Sequence, residues 1–292
     1  MTTGQTLLVT GASGHLGRRV LELLLEAGET RLIATTRTPE KLADFAARGV
    51  TVREASFDQP EALPAAFAGA DRLLLISTDT LDAPGHRQKQ HTDAVQAAVQ
   101  AGVKHVVYTS LTEATNTPIL IAEDHAVTEA ALEASPLGYT VLRNNLYADG
   151  VSRTLEQAHS LGGNLFSAAG DGKIAFVTRE DCARAAAAAL ASSFEERRIL
   201  DVTGPEPLSY ADIAAIGAAL DGQPLTYVPL PPEVLTENLV NAGIPEMFAR
   251  MIVSFDTAAA QGRLAIVSSA VEDLTGRKPL RVADFLAQQV RT

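Results

Sequence analysis

The sequence predicts an α/β fold: a Rossmann-type, doubly wound parallel sheet carrying a smaller, mostly helical C-terminal domain. Three observations point there. Short β-rich apolar runs alternate with helical patterns as far as Arg143, the order expected of βαβ units. Runs such as Leu73-Leu74-Leu75-Ile76 are apolar at every position, as a strand covered by helices on both faces requires. A glycine-rich turn also stands between the first strand and the first helix, where such folds receive phosphate groups.

Each element has its own warrant. Residues 6–10 read as a strand, and 16–27 as a helix stopped by Gly28. Strand two spans 31–36. Thr38-Pro39 then opens a helix as N-cap and first-turn proline, and Gly49 closes it. Further strands fall at 50–54, 72–76, 105–109 and 139–143, separated by helices at 60–67, 85–101 and 121–134. Past Arg143 the rhythm changes. A helix at 151–161 leads to an expected hairpin turning at Gly170-Asp171-Gly172. Thr178 N-caps an alanine-rich helix at 179–191, whose Ala185 to Ala189 run is a good helix former, and 198–202 is one more strand. The rest is mostly helical: Ser209 with Asp212 resembles a capping box, Pro231-Pro232 and Pro245 open two helices, and 281–290 forms a last one. These breaks divide the chain into a dinucleotide-binding domain, 1–148 plus 173–204, and a smaller substrate or cap domain, 149–172 plus 205–292. The second is expected to lie across the carboxyl edge of the sheet, where open α/β sheets bind ligands.

Composition narrows the function. The chain has 292 residues, 46% of them hydrophobic and 20% charged, room enough for a large core. It contains no apolar run of membrane-spanning length, and its start, Met1-Thr2-Thr3-Gly4-Gln5, carries no cationic leader. A soluble cytoplasmic protein is the expectation. One cysteine, Cys182, excludes an internal disulfide and a cysteine-built metal site. With 24 Lys and Arg against 35 Asp and Glu, the net charge is −11. That average field repels a nucleic-acid backbone, and no basic stripe overrides it. The six histidines form no metal-binding pattern; His86 and His91, five apart, sit on different helix faces and read as surface or packing residues.

The strongest chemical signal is Thr10-Gly11-Ala12-Ser13-Gly14-His15-Leu16-Gly17, a GxxGxxG turn. Gly11 lets the chain turn and Gly14 lets backbone amides approach a pyrophosphate. Gly17 lets helix and strand pack closely, and the helix N-terminus adds positive partial charge. Ser13, His15 and Leu16 belong to the same turn. At the end of strand two, an NAD site needs a carboxylate for the ribose 2′-hydroxyl. Thr35-Thr36-Arg37-Thr38 stands there instead. Arg37 is suited to clamp a 2′-phosphate, with Lys41 one turn on as a second cation, so NADPH is the expected cofactor. The plain alternative for Arg37 is a solvated loop arginine.

GxxGxxG before such a sheet resembles the short-chain dehydrogenase/reductase superfamily, whose typical members carry a Tyr-x-x-x-Lys pair. None of Tyr108, Tyr139, Tyr147, Tyr210 and Tyr227 has lysine four residues later. The segment His125-Ala126-Val127-Thr128-Glu129 is similar to the family's Lys-x-x-x-Glu stretch. It puts His125 in the lysine position and Ile121 in that of the tyrosine, while Ser110 matches the family's serine. Within the superfamily the chain resembles the atypical NmrA-like branch, and most of all the bacterial type-2 NAD(P)H:quinone oxidoreductases and the triphenylmethane reductases. The resemblance covers nearly the whole chain. It rests on LVTGASGHLG, TTRTPEK, REASFDQPEAL, LLLIST, AGVKHVVYTSL, EDHAVTE, YTVLRNNLYAD and AAGDGKIAFVTRED. It implies that Asp58 meets the adenine, that Ser77 and Thr78 border the cofactor, and that Asn144, Asn145 and Tyr147 stand near the nicotinamide and the substrate mouth. Alternatives remain at each: a helix cap for Asp58, a turn for the asparagines, a packed histidine at 125.

A missing tyrosine suits quinone reduction. Hydride addition to a quinone gives an aromatic hydroquinone anion that water can protonate, whereas a ketone gives a basic alkoxide that needs an acid in place. The expectation is therefore an NADPH-dependent oxidoreductase acting on quinone-like or other conjugated small molecules. The rival is an NmrA-like redox sensor that binds the dinucleotide and acts through a protein partner. The sequence leaves the oligomeric state open, a homodimer included.

Overall fold

A computed structural model describes residues 4–289; residues 1–3 and the end of the expected tail helix, from Val290 on, lie outside the described residues. Strand β1 (Leu7–Val9) enters the glycine turn and helix α1 (His15–Glu26), which stops at Gly28 with a left-handed φ of +84°. Then follow β2 (Leu32–Thr36), a 3-10 turn (Pro39–Leu42) running into α2 (Ala43–Ala46), β3 (Thr51–Glu54), and a second 3-10 turn (Pro60–Ala62) running into α3 (Leu63–Phe67). Thr38 makes no side-chain cap bond, contrary to the expected N-cap; the helix it precedes starts as a tight 3-10 turn instead. Next come β4 (Arg72–Leu75), α4 (His86–Gln100), β5 (His105–Leu111), α5 (Ala122–Ala134) and β6 (Gly138–Asn144).

The expected strand at 198–202 is the seventh strand of the main sheet. After α6 (Asp149–Ser160), β7 (Asn164–Ser167), β8 (Lys173–Ile174) and α7 (Arg179–Leu190), β9 (Arg197–Val202) pairs with β6. The order is β3-β2-β1-β4-β5-β6-β9, all parallel. The order reverses between β1 and β4, the switch point at which such sheets open a crevice.

Alternation along the strands feeds two cores. Val9, Leu74 and Val107 pack with α1 and α7 on one face; Leu8, Leu73, Leu75, Val106 and Tyr108 pack with α3 to α5 on the other. The alanine run has a packing role beyond helix propensity. Ala183, Ala185, Ala186, Ala187 and Ala189 are all buried in the first core, and small side chains let α7 seat closely against its neighbours. Thr178 caps α7 by accepting from the Asp181 amide.

Beyond the carboxyl edge a third core gathers α6 with β10 (Leu208–Ser209), α8 (Tyr210–Asp221), β11 (Thr226–Pro229), α10 (Glu246–Ala260) and α12 (Val282–Gln289). Helix α9 (Pro232–Asn241) completes this part, whereas α11 (Ala270–Thr275) packs into the first core through Val271 and Leu274, against α7 and the main sheet. The Ser209/Asp212 capping box is present. The hairpin expected around Gly170-Asp171-Gly172 is not. β7 pairs in parallel with β11, and β8 pairs antiparallel with β10. The turn is drawn onto α10 instead: the Ala168 amide donates to Asp256 Oδ2 at 2.8 Å, and a Cβ on Gly172 would lie 2.3 Å from the Ala259 carbonyl oxygen. No helix of the described residues is long and apolar enough to cross a membrane.

Arg72, at the start of β4, is 1% exposed. Its guanidinium closes the C-terminal end of α7, donating from Nε to the Leu190 carbonyl at 2.8 Å, from Nη2 to Ala189 at 3.0 Å and from Nη1 to Phe194 at 2.8 Å. Leu190 and Ala189 belong to the last turn of the helix, whose carbonyls lack intrahelical partners, although Ala189 also accepts from Ser192 Oγ at 2.8 Å; a cation there also meets the negative end of the helix dipole. Burial lowers the Arg72 pKa to about 10, which leaves the group charged at neutral pH. Replacing Arg72 with Met should therefore cost about 2–4 kcal/mol in urea unfolding, through lost charged hydrogen bonds and unsatisfied carbonyls. A loss below about 1 kcal/mol would show that α7 needs no such anchor.

Candidate functional site

The glycine turn is built as its spacing requires. Gly11 has φ +58°, a conformation that penalises any Cβ. A Cβ on Gly17 would lie 2.5 Å from the Gly11 carbonyl oxygen and 2.8 Å from Ala12 Cα, so only glycine lets α1 seat against the turn. Gly14 is the N-cap, makes no side-chain cap bond, and is followed by no acidic residue in the first turn. The leading amides of α1 are thus left to an anion.

A cleft of about 410 Å³ opens at this turn, between the ends of β1, β2, β3 and β4. It is lined by Gly11, Ser13, Gly14, His15, Leu16, Gly17, Arg37, Asp58, Ser77 and Thr78. Lys41 and Ser110 are not among its walls. Ser13 Oγ and Thr36 Oγ1 lie 2.8 Å apart, and Thr36 Oγ1 also accepts from the Thr38 amide, which fixes the chain just before Arg37. The exposed Arg37 side chain makes no hydrogen bond or ion pair with another described residue. Asp58 does not cap the following 3-10 turn. Its Oδ1 accepts from Gln90 Nε2 at 2.7 Å and lies 2.9 Å from His86 Nε2; those bonds hold its carboxyl below the usual range.

Behind the cleft runs a buried polar network that joins α4, β5 and α5. Arg87 can only donate, so its Nη2, 3.1 Å from His125 Nε2, makes that nitrogen an acceptor. The His125 proton is then on Nδ1, which donates to Tyr108 Oη at 2.8 Å. His91 Nε2 accepts from the Thr78 amide at 2.9 Å, and its Nδ1 donates to Thr128 Oγ1 at 3.0 Å. Thr128 passes its proton to the Asp124 carbonyl at 2.7 Å. Burial, with the Arg87 cation beside them, pulls the His91 pKa down to about 3 and that of His125 well below its ordinary value. His125 is 4% exposed and lines neither this cleft nor the larger cavity described next. Its packed reading is the one the geometry favours.

Ser110 turns under α5, where its Oγ donates to Glu129 Oε1 at 2.5 Å beside the Glu129–Arg143 ion pair of 2.6 Å. Asn145 Nδ2 donates to the Leu264 carbonyl at 2.9 Å and ties β6 to the C-terminal part. Asn144 is buried and its Oδ1 lacks any partner among the described residues. Tyr147 leans on the first core with the Arg179 guanidinium 5.3 Å from its ring centroid. A second cavity, of about 600 Å³, lies between the loop leaving β5, at Pro118 and Leu120, and helices α9 and α10.

Gln90, Thr36, Ile76 and Asp79 also line the first cleft and were not anticipated. Gln90 had a readable signal: Arg87, Gln90 and His91 are polar residues in line with Ala94, Val95 and Ala98, the buried face of α4. Polar side chains on a core-facing stripe need partners.

Residues 11–193 match the family model described as NAD(P)H-binding. The chain belongs to the NAD(P)H-binding family. It is 34% identical over 280 residues to quinone oxidoreductase 2 of Escherichia coli, covering 96% of each chain. The structure of the NADPH-dependent quinone oxidoreductase of E. coli in complex with NADPH superposes with a TM-score of 0.90 at 33% identity, over 98% of this chain and 100% of that one. Citrobacter sp. triphenylmethane reductase complexed with NADP(H) gives 0.89 and 33%, over 97% and 99%. The resemblance carried by the motifs, to the NmrA-like branch and its quinone and triphenylmethane reductases, holds over the full length. The geometry fits the family's dinucleotide: a glycine turn that a Cβ would fill, an uncapped helix N-terminus and an unpaired arginine at the end of β2.

The buried histidines give the fold a pH dependence of defined sign. Unfolded, His91 titrates near 6.5; folded, at about 3. Below pH 6.5 only the unfolded chain takes up this proton, so stability is full above that value and falls as the solution becomes more acid. Between about pH 6 and 4, His91→Gln should flatten the slope of unfolding free energy by about 1.4 kcal/mol per pH unit. Denaturant titrations across that range measure it; parallel slopes for the two proteins would mean His91 is not held neutral.

Proposed function

We propose that this protein is an NADPH-dependent oxidoreductase that reduces quinones or similarly conjugated small molecules. The observation carrying the reading is full-length similarity to a reductase of that class, in a chain whose own residues meet the needs of the cofactor. Bound NADPH supplies a hydride. The protein's part is to bind, to orient and to exclude water. The leading amides of α1 and the glycine turn hold the pyrophosphate, Arg37 holds the 2′-phosphate, and Asp58 stands at the adenine end. Asn144 offers an unsatisfied acceptor at the end of β6. The larger cavity, apolar at Pro118, Leu120, Val240 and Val253, is large enough to admit a quinone.

The groups that motif similarity marks as chemical, His125 and Ser110, are not set up to donate a proton. Tyr108, His125 and His91 are buried, mutually hydrogen-bonded and neutral, and Ser110 is committed to Glu129. That suits an acceptor whose reduced anion needs no protein acid. The rival, a sensor without chemistry, has no comparable support. Two cavities stand open, and the relatives compared are reductases.

The deciding assay is NADPH oxidation with a small panel of quinones, where turnover is expected and its absence with every acceptor would favour the sensor. NADPH should bind more tightly than NADH, and Arg37→Ala should remove about 1.5–3 kcal/mol of that preference in calorimetric titrations. Equal wild-type affinities would refute the role given to Arg37. His125→Gln should lower kcat/KM for quinone by about tenfold or less, with no pH step near neutrality in either protein. A loss of about a thousandfold, with disappearance of such a step, would make His125 a general acid.

A further inference from the structure

Three side chains of α4, at i, i+3 and i+4, share one face and converge on a single residue of the cofactor cleft. Arg87 Nε donates to the Thr78 carbonyl at 2.8 Å, His91 Nε2 accepts from the Thr78 amide at 2.9 Å, and Gln90 Oε1 accepts from Thr78 Oγ1 at 2.8 Å. All the polar groups of Thr78 are therefore held from behind the wall. Gln90 does more, because its Nε2 donates to Asp58 Oδ1 at 2.7 Å. One amide thus spans the loops that leave β3 and β4, both of which line the cleft.

We propose that Gln90 and His91, with Arg87, are positioning residues that fix the adenine end of the dinucleotide cleft before the cofactor arrives. The proposal rests on the dinucleotide part of the reading above and not on the acceptor. Neither Thr78 nor Asp58 lies within a strand or helix. Without α4 these loops would have to be ordered at the expense of binding free energy. The network is built from the protected side. Gln90 is 5% exposed, Arg87 6% and His91 0%, and His91 is anchored in turn on Thr128 of α5. His91 has to present a bare Nε2 to the Thr78 amide, and its second bond, from Nδ1, selects that tautomer. The Asp58 carboxylate keeps Oδ2 free of any bond to another described residue, an acceptor held in place for an exocyclic amine such as that of adenine.

The test is binding of NADPH and of adenosine 2′,5′-bisphosphate, the adenosine half alone, to the wild type and to Gln90→Leu, His91→Phe and His91→Gln. Gln90→Leu and His91→Phe should weaken both ligands by the same factor, on the order of tenfold. His91→Gln, whose amide oxygen can accept from the Thr78 amide, should recover most of the loss. Hydrogen exchange at the Thr78 amide of the free protein should quicken in His91→Phe and not in His91→Gln. Should His91→Phe fail to fold, Gln90→Leu, at the cleft wall and of similar volume, carries the test. Folded variants that bind the adenosine half within about twofold of wild type would overturn the proposal, as would a loss confined to NADPH. These constants need no acceptor, so a failure of the quinone reading would leave them untouched.

Discussion

The seat of α1 against the turn that follows β1 is the constraint on which the rest of the molecule depends. At Gly17 the helix comes so near Gly11 and Ala12 that no Cβ fits between them. That approach aims the open amides of α1 into the crevice at the switch point between β1 and β4. Everything else lining the crevice is placed relative to it. Thr10 Oγ1 donates to the Leu74 carbonyl and accepts from the Ile76 amide, coupling the glycine turn to the loop that carries Ser77 and Thr78. The Ala12 amide donates to the Thr35 carbonyl, coupling it to the segment that carries Arg37.

A second level of order lies behind the cleft. Five buried groups, Arg87, His91, Tyr108, His125 and Thr128, are joined by hydrogen bonds. A half-satisfied network would cost more than an apolar core of the same shape, so this one fixes α4, α5 and β5 in a single arrangement. It also occupies both ring nitrogens of His91 and His125. Burial and the Arg87 cation favour the neutral form of both rings.

The sheet, most of its helices and the cofactor turn were legible in the sequence because they follow from periodicity and from glycine chemistry. Gly28, Gly49, Thr178 and Ser209 end or start helices for local reasons that four or five residues express. What escaped was long-range. The turn at 170–172 has the composition of a hairpin, and only its contact with α10 diverts β7 and β8 to different partners. Arg72 opens an apolar strand, and where its guanidinium goes is set only once α7 is packed above it. His91 reads from sequence as a surface or packing residue; it packs, and what it packs against is a wall of the cleft. Ser110 and His125 occupy positions that motif similarity marks as chemical. Glu129 and Tyr108 claim their polar atoms instead, and no local pattern announces that.

On the proposed reading, the site positions its reactants and supplies no proton as the hydride moves. Isotope effects on single-turnover quinone reduction test it most directly. With deuterium at the transferred position of NADPH, the rate should fall clearly, while transfer of the reaction to heavy water should leave it close to unchanged. A solvent effect comparable to the primary one would show a proton in flight in the same transition state, and would contradict the account by requiring a protein acid that the buried network does not provide.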